Sequence, residues 1–314
     1  MPGFLTHYIA GQTVLNSASP KITKRIKKYD RLFNLGTQGP DIFFYYLPGL
    51  IRKCSRQLGG EMHKNNLGIF ISHMAYIAKK TPSPKCDCIF TYTAGLIMHY
   101  VVDVHAHPYV YAKVYKEGAP KIKNSATHRH FETSIDIALL KLLSGEKPAN
   151  YSQWELINAE TEHMATAAKA MSHAIRQVYD RVVPSRHVLQ AMRHMISLTR
   201  LLRSKKGRRK KWTALLENIT VGENIFSSLV HEQDVDKATD YLNRKHTPWQ
   251  APWKTAETCT DSFVDRFMAA TAEGLTLIDS LYNYVYSDLT MQALSEKLGN
   301  RSLQTGADCG QIIW

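Results

Sequence analysis

Apolar residues recur along most of the chain at spacings of three, four and seven, which is the period of an amphipathic helix. The pattern predicts long helices over residues 157–178, 187–202 and 263–285. Ser262 is a predicted N-cap for the last helix, and Asp265 places a carboxylate near its positive end. Residues 89–106 are apolar almost throughout, and this length favours a buried helix over a strand.

Turn-forming residues separate these segments. Gly and Pro cluster at residues 36–40, 47–49, 81–84, 118–120 and 247–252. No internal repeat is evident. We therefore expect one all-α domain spanning residues 1–314.

The composition indicates an ordinary globular protein, with 44% hydrophobic and 21% charged residues. No apolar run reaches the roughly 18 residues that a transmembrane helix requires. The N-terminal residues lack the basic and apolar regions of a signal peptide, so we expect a cytoplasmic protein. The five cysteines are odd in number and scattered, and they predict reduced structural thiols.

The formal net charge of +13 favours anionic partners such as phosphoesters, an anionic membrane surface or nucleic acid. Part of this charge is local, since residues 203–211 contain seven cations in nine positions. We interpret this segment as a solvated loop, with a nucleic-acid patch as the alternative. Nothing in the sequence indicates a protein partner.

Two pairs of residues have the spacing of metal ligands on a helix. His99 and Asp103 are four residues apart, as are His128 and Glu132, so each pair lies on one helix face. Imidazole and carboxylate together are typical zinc ligands in hydrolytic sites. His107 lies one step beyond Asp103, and because Pro108 follows it we expect the helix to end there.

Three further candidate ligands lie upstream. Asp41 follows a Gly-Pro turn, His63 lies in the next segment, and His7 is close to the N-terminus. Buried carboxylates are costly unless they are paired or bind a metal, so we predict that the two pairs, His99–Asp103 and His128–Glu132, converge on cations. Residues 1–140 would then form the metal-site core, and the helices of residues 141–314 would support it.

The candidate ligands occur in the order His7, Gly39-Pro40-Asp41, His63, His99, Asp103, His107, His128 and Glu132. This order resembles the bacterial zinc-dependent phospholipase C family, and in particular its short members that begin Met-Pro-x-x-x-x-His-Tyr-x-x-Gly. The resemblance covers about the first 140 residues. Residues 242–249 and 300–306 are also similar to the family, with no clear chemistry attached.

The resemblance implies an all-α fold of the phospholipase C and single-strand nuclease type, with a buried site for two or three zinc ions. It assigns the first zinc to Asp41, His63, His99 and Asp103, and the second to His107, His128 and Glu132. Asp103 would bridge to a third zinc, which His7 and the N-terminal residue would complete. Secreted members supply a processed N-terminal Trp at that position, whereas here Met1 or Pro2 would take its place.

The function implied is zinc-dependent hydrolysis of a phosphodiester, with a phospholipid or related phosphoester as substrate. Asp41 is expected to orient a zinc-bound hydroxide and to act as general base, and Asp136 to accept a hydrogen bond from a ligand imidazole. Residues 43–46 are aromatic and either line the cleft or belong to the core. The alternatives are a nuclease or other phosphoesterase on the same fold, or a metal-binding scaffold without activity.

Overall fold

A computed structural model describes residues 3–47, 49–115, 121–202, 236, 238–254 and 256–310. The basic segment 203–211, the predicted turn at 118–120 and the N-terminal Met1 and Pro2 lie outside the described residues.

The described residues are largely helical. The α-helices, numbered in chain order, are α1 (Phe4–Ser17), α2 (Pro20–Lys27), α3 (Asp30–Gly36), α4 (Gly49–Lys64), α5 (Leu67–Lys80), α6 (Lys85–Val114), α7 (Lys121–Ser144), α8 (Gln153–Ile157), α9 (Thr161–Tyr179), α10 (Ser185–Leu202), α11 (Phe263–Tyr286) and α12 (Met291–Leu298). Short 3-10 helices cover Gly39–Tyr45 and Pro148–Asn150. Within these ranges there is no β-strand, only isolated bridges between Trp249 and Cys259 and between Arg301 and Asp308.

Helix α6 is the centre of the fold. Its 30 residues are buried along most of its length. Helices α3, α5, α9 and α11 pack around it, and α1 and α7 contact it as well. A single hydrophobic core extends from Phe4 to Leu303. The prediction of one all-α domain is confirmed.

Helices α3 and α6 approach each other closely through two glycines. An added Cβ at Gly36 would lie 2.4 Å from the carbonyl oxygen of Tyr92, and one at Gly95 would lie 2.2 Å from that of Phe33. Real Cβ atoms do not fit at such distances, so this backbone contact requires both glycines. It fixes the 3-10 helix that follows α3 against the middle of α6.

The helix predictions hold with two corrections. Residues 187–202 and 263–285 lie within α10 and α11, and Ser262 forms a capping box with Asp265. The predicted helix over 157–178 is wrong at its start, because Ile157 ends α8 and α9 begins at Thr161. Ile157 is nevertheless fully buried. The apolar spacing therefore correctly predicted which residues are buried, but it did not predict the break in the helix.

The predicted end of α6 at His107 is also wrong. The helix continues through Pro108 to Val114. A proline inside a helix removes one hydrogen bond and costs about 3 kcal/mol. Here the continuation buries Tyr109, Val110 and Val114, and this burial offsets that cost.

None of the helices in the described ranges combines the length and the apolar character that crossing a bilayer requires.

The α3–α6 contact can be tested by replacing Gly95 with Ala. The methyl group would press on the Phe33 carbonyl and should lower the free energy of unfolding by about 1–3 kcal/mol, measured by urea denaturation. Gly60→Ala is the matched control, because an added Cβ there meets no atom within 4 Å. In helix α4 that change should be neutral or stabilise by up to about 1 kcal/mol. Equal effects of the two changes would contradict the close approach.

Candidate metal centre

Helix α6 presents three polar side chains on one face, in the middle of an otherwise apolar helix. His99, Asp103 and His107 follow one another at intervals of four residues. Their exposed fractions are 0%, 0% and 2%, so all three are removed from water. The other candidate ligands approach this stripe from neighbouring helices.

One group forms where the 3-10 helix and α4 meet α6. The Nε2 atom of His63 lies 3.1 Å from Asp41 Oδ1 and 3.9 Å from Asp103 Oδ2. The Nε2 atom of His99 lies 3.2 Å from Asp103 Oδ2. Around a tetrahedral zinc with bonds of about 2.0–2.2 Å, neighbouring ligand atoms are about 3.3 Å apart. These spacings therefore match one coordination shell.

Helix α1 brings His7 to the opposite oxygen of the same carboxylate. Its Nε2 atom is 3.3 Å from Asp103 Oδ1, and its ring stacks on that of His99 with centroids 4.3 Å apart. Asp103 thus presents one oxygen to His7 and the other to His63 and His99.

A second group joins α6 to α7. Glu132 Oε1 lies 2.6 Å from His128 Nε2 and 3.7 Å from His107 Nε2. His128 and Glu132 are one turn apart on α7, as their spacing predicted. These three residues form a cluster of possible metal ligands separate from the one at Asp41.

Backbone carbonyls fix the orientation of three of these rings. The Nδ1–H of His63 donates to Gly59 O at 2.6 Å, and that of His99 donates to Thr37 O at 3.1 Å. The Nδ1–H of His107 donates to the carbonyl of Leu303. Since a carbonyl oxygen only accepts, the proton of each neutral ring is on Nδ1, and the Nε2 lone pair faces a carboxylate.

This arrangement leaves the Nε2 acceptors of His99 and His107 facing carboxylate oxygens. Both oxygens of Asp103, both ring nitrogens of His7, and Nε2 of His99 and of His107 have no hydrogen-bond partner among the described residues. Buried polar atoms without partners cost free energy, and opposed acceptors at these distances repel each other. A cation between them removes both costs, so the donor set fits zinc.

The electrostatics favour the same protonation states. Burial raises the pKa of Asp103, but the positive charge that His99 and His107 carry when protonated holds it well below its ordinary value. Glu132 is likewise buried, and its pKa is lowered by His128. Burial lowers the pKa of His128 to about 4. Ionised carboxylates and neutral imidazoles are the forms that bind a metal.

The Gly-Pro turn before Asp41 has a specific steric role. Gly39 has a φ of +51°, a conformation that favours glycine, and an added Cβ would lie 2.4 Å from the His99 ring. The turn can therefore place Asp41 next to His99 only with glycine at this position.

The comparison with protein families agrees with this geometry. The chain matches the family described as zinc dependent phospholipase C over residues 6–187, a range that includes every predicted ligand from His7 to Glu132. The chain belongs to the zinc-dependent phospholipase C family. No curated protein and no solved structure matches the chain significantly.

The structure brings the eight predicted ligands of this phospholipase C family member together. They form three clusters: His7–His99–Asp103 and Asp41–His63–His99, which share His99, and the separate cluster His107–His128–Glu132. His105 faces away from them and contacts Glu273 on α11 at 2.7 Å. The predicted aromatic segment divides between core and site, because Phe43 and Tyr46 are buried in the core whereas Phe44 and Tyr45 are half-buried. The Phe44 ring lies 5.4 Å from that of His63.

Asp136 contacts the start of α1. Its carboxylate accepts hydrogen bonds from the backbone N–H of Leu5 and Thr6 at 3.0 and 2.9 Å, and from the Thr6 hydroxyl at 2.6 Å. It therefore binds the N-terminus of α1, the helix that carries His7. A carboxylate at a helix N-terminus is favoured by the helix dipole.

The contact of Leu303 with His107 could not be found from local sequence patterns. The two residues are 196 positions apart, and Leu303 acts through its backbone carbonyl. The only sequence signal was the resemblance to the family in residues 300–306.

Replacing Asp136 with Asn tests the attachment of α1. The amide keeps the shape but replaces one acceptor oxygen with a donor that faces N–H groups, so the unfolding free energy should fall by about 1–3 kcal/mol. Asp30→Asn is the control, because Asp30 is exposed and accepts only a local hydrogen bond from Arg31 N at the start of α3. It should change stability by less than about 0.5 kcal/mol. Urea denaturation measures both, and an unchanged D136N would refute the capping role.

Proposed function

We propose that this member of the phospholipase C family is a zinc-dependent phosphodiester hydrolase that acts on a phospholipid or a related phosphoester. The observation that carries the proposal is the fully buried carboxylate of Asp103, whose Oδ2 faces the unprotonated Nε2 of His99. A cation bound between these two acceptors would offset their repulsion. The family match supports zinc as their identity.

Three positions follow from the clusters. Asp41, His63, His99 and Asp103 Oδ2 would hold one zinc, and His107, His128 and Glu132 a second. His7 and Asp103 Oδ1 would contribute to a third, completed by the N-terminal residue. On this assignment residues 1–140 carry the ligands, and residues 141–314 support them.

Charge balance favours two resident zinc ions. The ligand set contains three carboxylates, those of Asp41, Asp103 and Glu132, and the rest are imidazoles. Two zinc ions and one hydroxide would bring the buried charge close to zero. A third ion would leave a positive excess, which an anionic phosphate can neutralise. We therefore propose that occupancy of the His7 position rises with substrate binding.

Zinc ions bound in these clusters would lower the pKa of a bound water to about 7 and stabilise the charge that develops on the phosphate. Asp41 is the best-placed base for that water. Its side chain is 10% exposed, against 0% for Asp103 and 6% for Glu132, so it is the ligand carboxylate most accessible to a proton acceptor in solvent. The Gly39 turn holds it in place.

Features beside the clusters suit a phospholipid head group. Phe44 and Tyr45 lie next to His63 and Asp41, and burial together with the charge of Asp41 raises the pKa of Tyr45. Tyr45 thus stays neutral. Aromatic faces at such positions attract a quaternary ammonium group.

A second candidate is a nuclease on the same fold. The net charge of +13 favours a polyanionic substrate, and the seven cations of residues 203–211 add to this locally. A third reading, a metal-binding scaffold, predicts bound zinc without hydrolysis.

Asp103→Asn tests the metal centre. Removing the bridging charge should release zinc from the chain and lower phosphodiesterase activity at least about 100-fold, measured by elemental analysis and by hydrolysis of a chromogenic phosphodiester. Asp87→Asn is the matched control on the same helix. Asp87 is 7% exposed and pairs with Arg25 and Tyr286, away from the clusters. The D87N substitution should reduce the free energy of unfolding but leave the zinc content unchanged. Full zinc content and activity in D103N would end the assignment.

Substrate class is decided by assaying the zinc-loaded wild type in parallel on a chromogenic phosphocholine ester, phosphatidylcholine micelles and single-stranded DNA. We expect head-group release from the first two and no cleavage of DNA. Cleavage of DNA alone would favour the nuclease. Bound zinc with none of these activities would favour the scaffold.

A further inference from the structure

Residues 299–310, here called the C-terminal loop, follow helix α12 and lie against the metal centre. The loop contacts an element of each ligand group. The carbonyl of Leu303 accepts the Nδ1–H of His107. The Ser302 hydroxyl and the Gln304 N–H both donate to the backbone carbonyl of His63, at 3.4 and 3.3 Å.

Arg301 makes the charged contact between this loop and the helices beneath it. Its guanidinium pairs with Glu273 on α11. Its backbone N–H donates to the Tyr100 hydroxyl at 2.9 Å, and that hydroxyl donates to the carbonyl of Leu298 at 3.2 Å. Tyr100 is fully buried on α6 beside His99.

The loop is internally connected, so that its anchor and its contacts move together. Ser302 N–H donates to Ala307 O, and Gly306 N–H donates to Ser302 O, both at 2.8 Å. Gly306 has a φ of +69°, and an added Cβ would lie 2.9 Å from the carbonyl oxygen of Val104 on α6. Leu303 is two residues from Arg301 and is fully buried. A change at Arg301 therefore reaches the carbonyl that holds His107.

We propose that Arg301, through its ion pair with Glu273 and its contact with Tyr100, is a positioning residue for His107 and thereby for the metal site formed with His128 and Glu132. The predicted effect on zinc binding rests on the proposed function. The hydrogen bond between His107 and Leu303 does not depend on it. It assigns a role in the metal centre to a segment beyond residues 6–187, the range that matches the family.

The physical reason is the effect of the distal hydrogen bond on a ligand histidine. With Nδ1–H held by a carbonyl, the ring keeps one tautomer and one orientation, and Nε2 stays directed at the metal. Without it the ring gains freedom that metal binding must remove. Loss of such outer contacts lowers metal affinity by about 10–100-fold.

The first test uses metal-free protein. The ring ¹⁵N–¹H spectrum of the wild type should show a slowly exchanging Nδ1–H for His107, identified by its absence in His107→Gln. In Arg301→Gln this signal should shift or vanish by exchange. The matched control is Arg266→Gln. Arg266 is also partly buried and pairs with Asp261, and it donates to the backbone carbonyl of His105 on α6. None of these contacts involves the C-terminal loop. R266Q should keep the signal. An unchanged His107 signal in R301Q would overturn the proposal.

The second test measures zinc affinity by competition with a chelator. R301Q should bind one zinc about 10–100-fold more weakly than the wild type, with R266Q unchanged. Arg301→Lys keeps the charge but loses the planar guanidinium group. Its zinc affinity should lie between those of R301Q and the wild type. Weaker folding of R301Q with unchanged zinc affinity would assign Arg301 a purely structural role and refute the inference.

Glu273→Gln covers the case in which R301Q does not fold. It keeps the side-chain shape but removes the charge and replaces one acceptor oxygen with a donor, and it should weaken the same zinc and alter the same His107 signal. If the wild type binds no zinc, the proposed function fails, while the His107 spectra still decide the role of Arg301.

Discussion

The burial of Asp103 among imidazole rings is the constraint on which the rest of this structure depends. An ionised carboxylate removed from water is costly, and here ring nitrogens of His7, His63 and His99 surround it. The neighbouring rings are held in that orientation by backbone carbonyls, so they cannot rotate to donate a proton without losing those bonds. Bound cations satisfy the whole group at once. The packing of the helices around Asp103 and the candidate metal site therefore depend on the same set of contacts.

The architecture follows from the need to bring ligands from separate helices to α6. That helix can supply three side chains on one face but cannot surround a cation. Helices α1, α4 and α7 and the 3-10 helix provide the others. The Gly36–Gly95 contact and the Gly39 turn bring the 3-10 helix close enough for Asp41 to reach the site. Asp136 accepts hydrogen bonds from the first backbone N–H groups of α1, and so fixes the helix that carries His7.

The C-terminal loop, which lies beyond residues 6–187, contacts two of the candidate ligands. Its Leu303 carbonyl holds a ring nitrogen of His107, and its other polar contacts go to the backbone of His63. Each of these histidines belongs to a different ligand cluster. Hydrogen bonds of this kind hold a histidine ring in one orientation, which the proposed function would require of its candidate ligands. The C-terminal half thereby contributes more than apolar packing.

The sequence by itself determined most of the helices and the set of candidate ligands. Both depend on local spacing: apolar residues at helical intervals mark α10 and α11, and His99–Asp103 and His128–Glu132 are paired by the pitch of a single helix. The tertiary structure decided what local spacing does not encode. It broke the helix after Ile157, carried α6 past Pro108 because burial offset the lost hydrogen bond, and gave Asp136 a backbone partner on α1. It also placed Leu303 against His107, since contacts between distant segments arise only when the core packs.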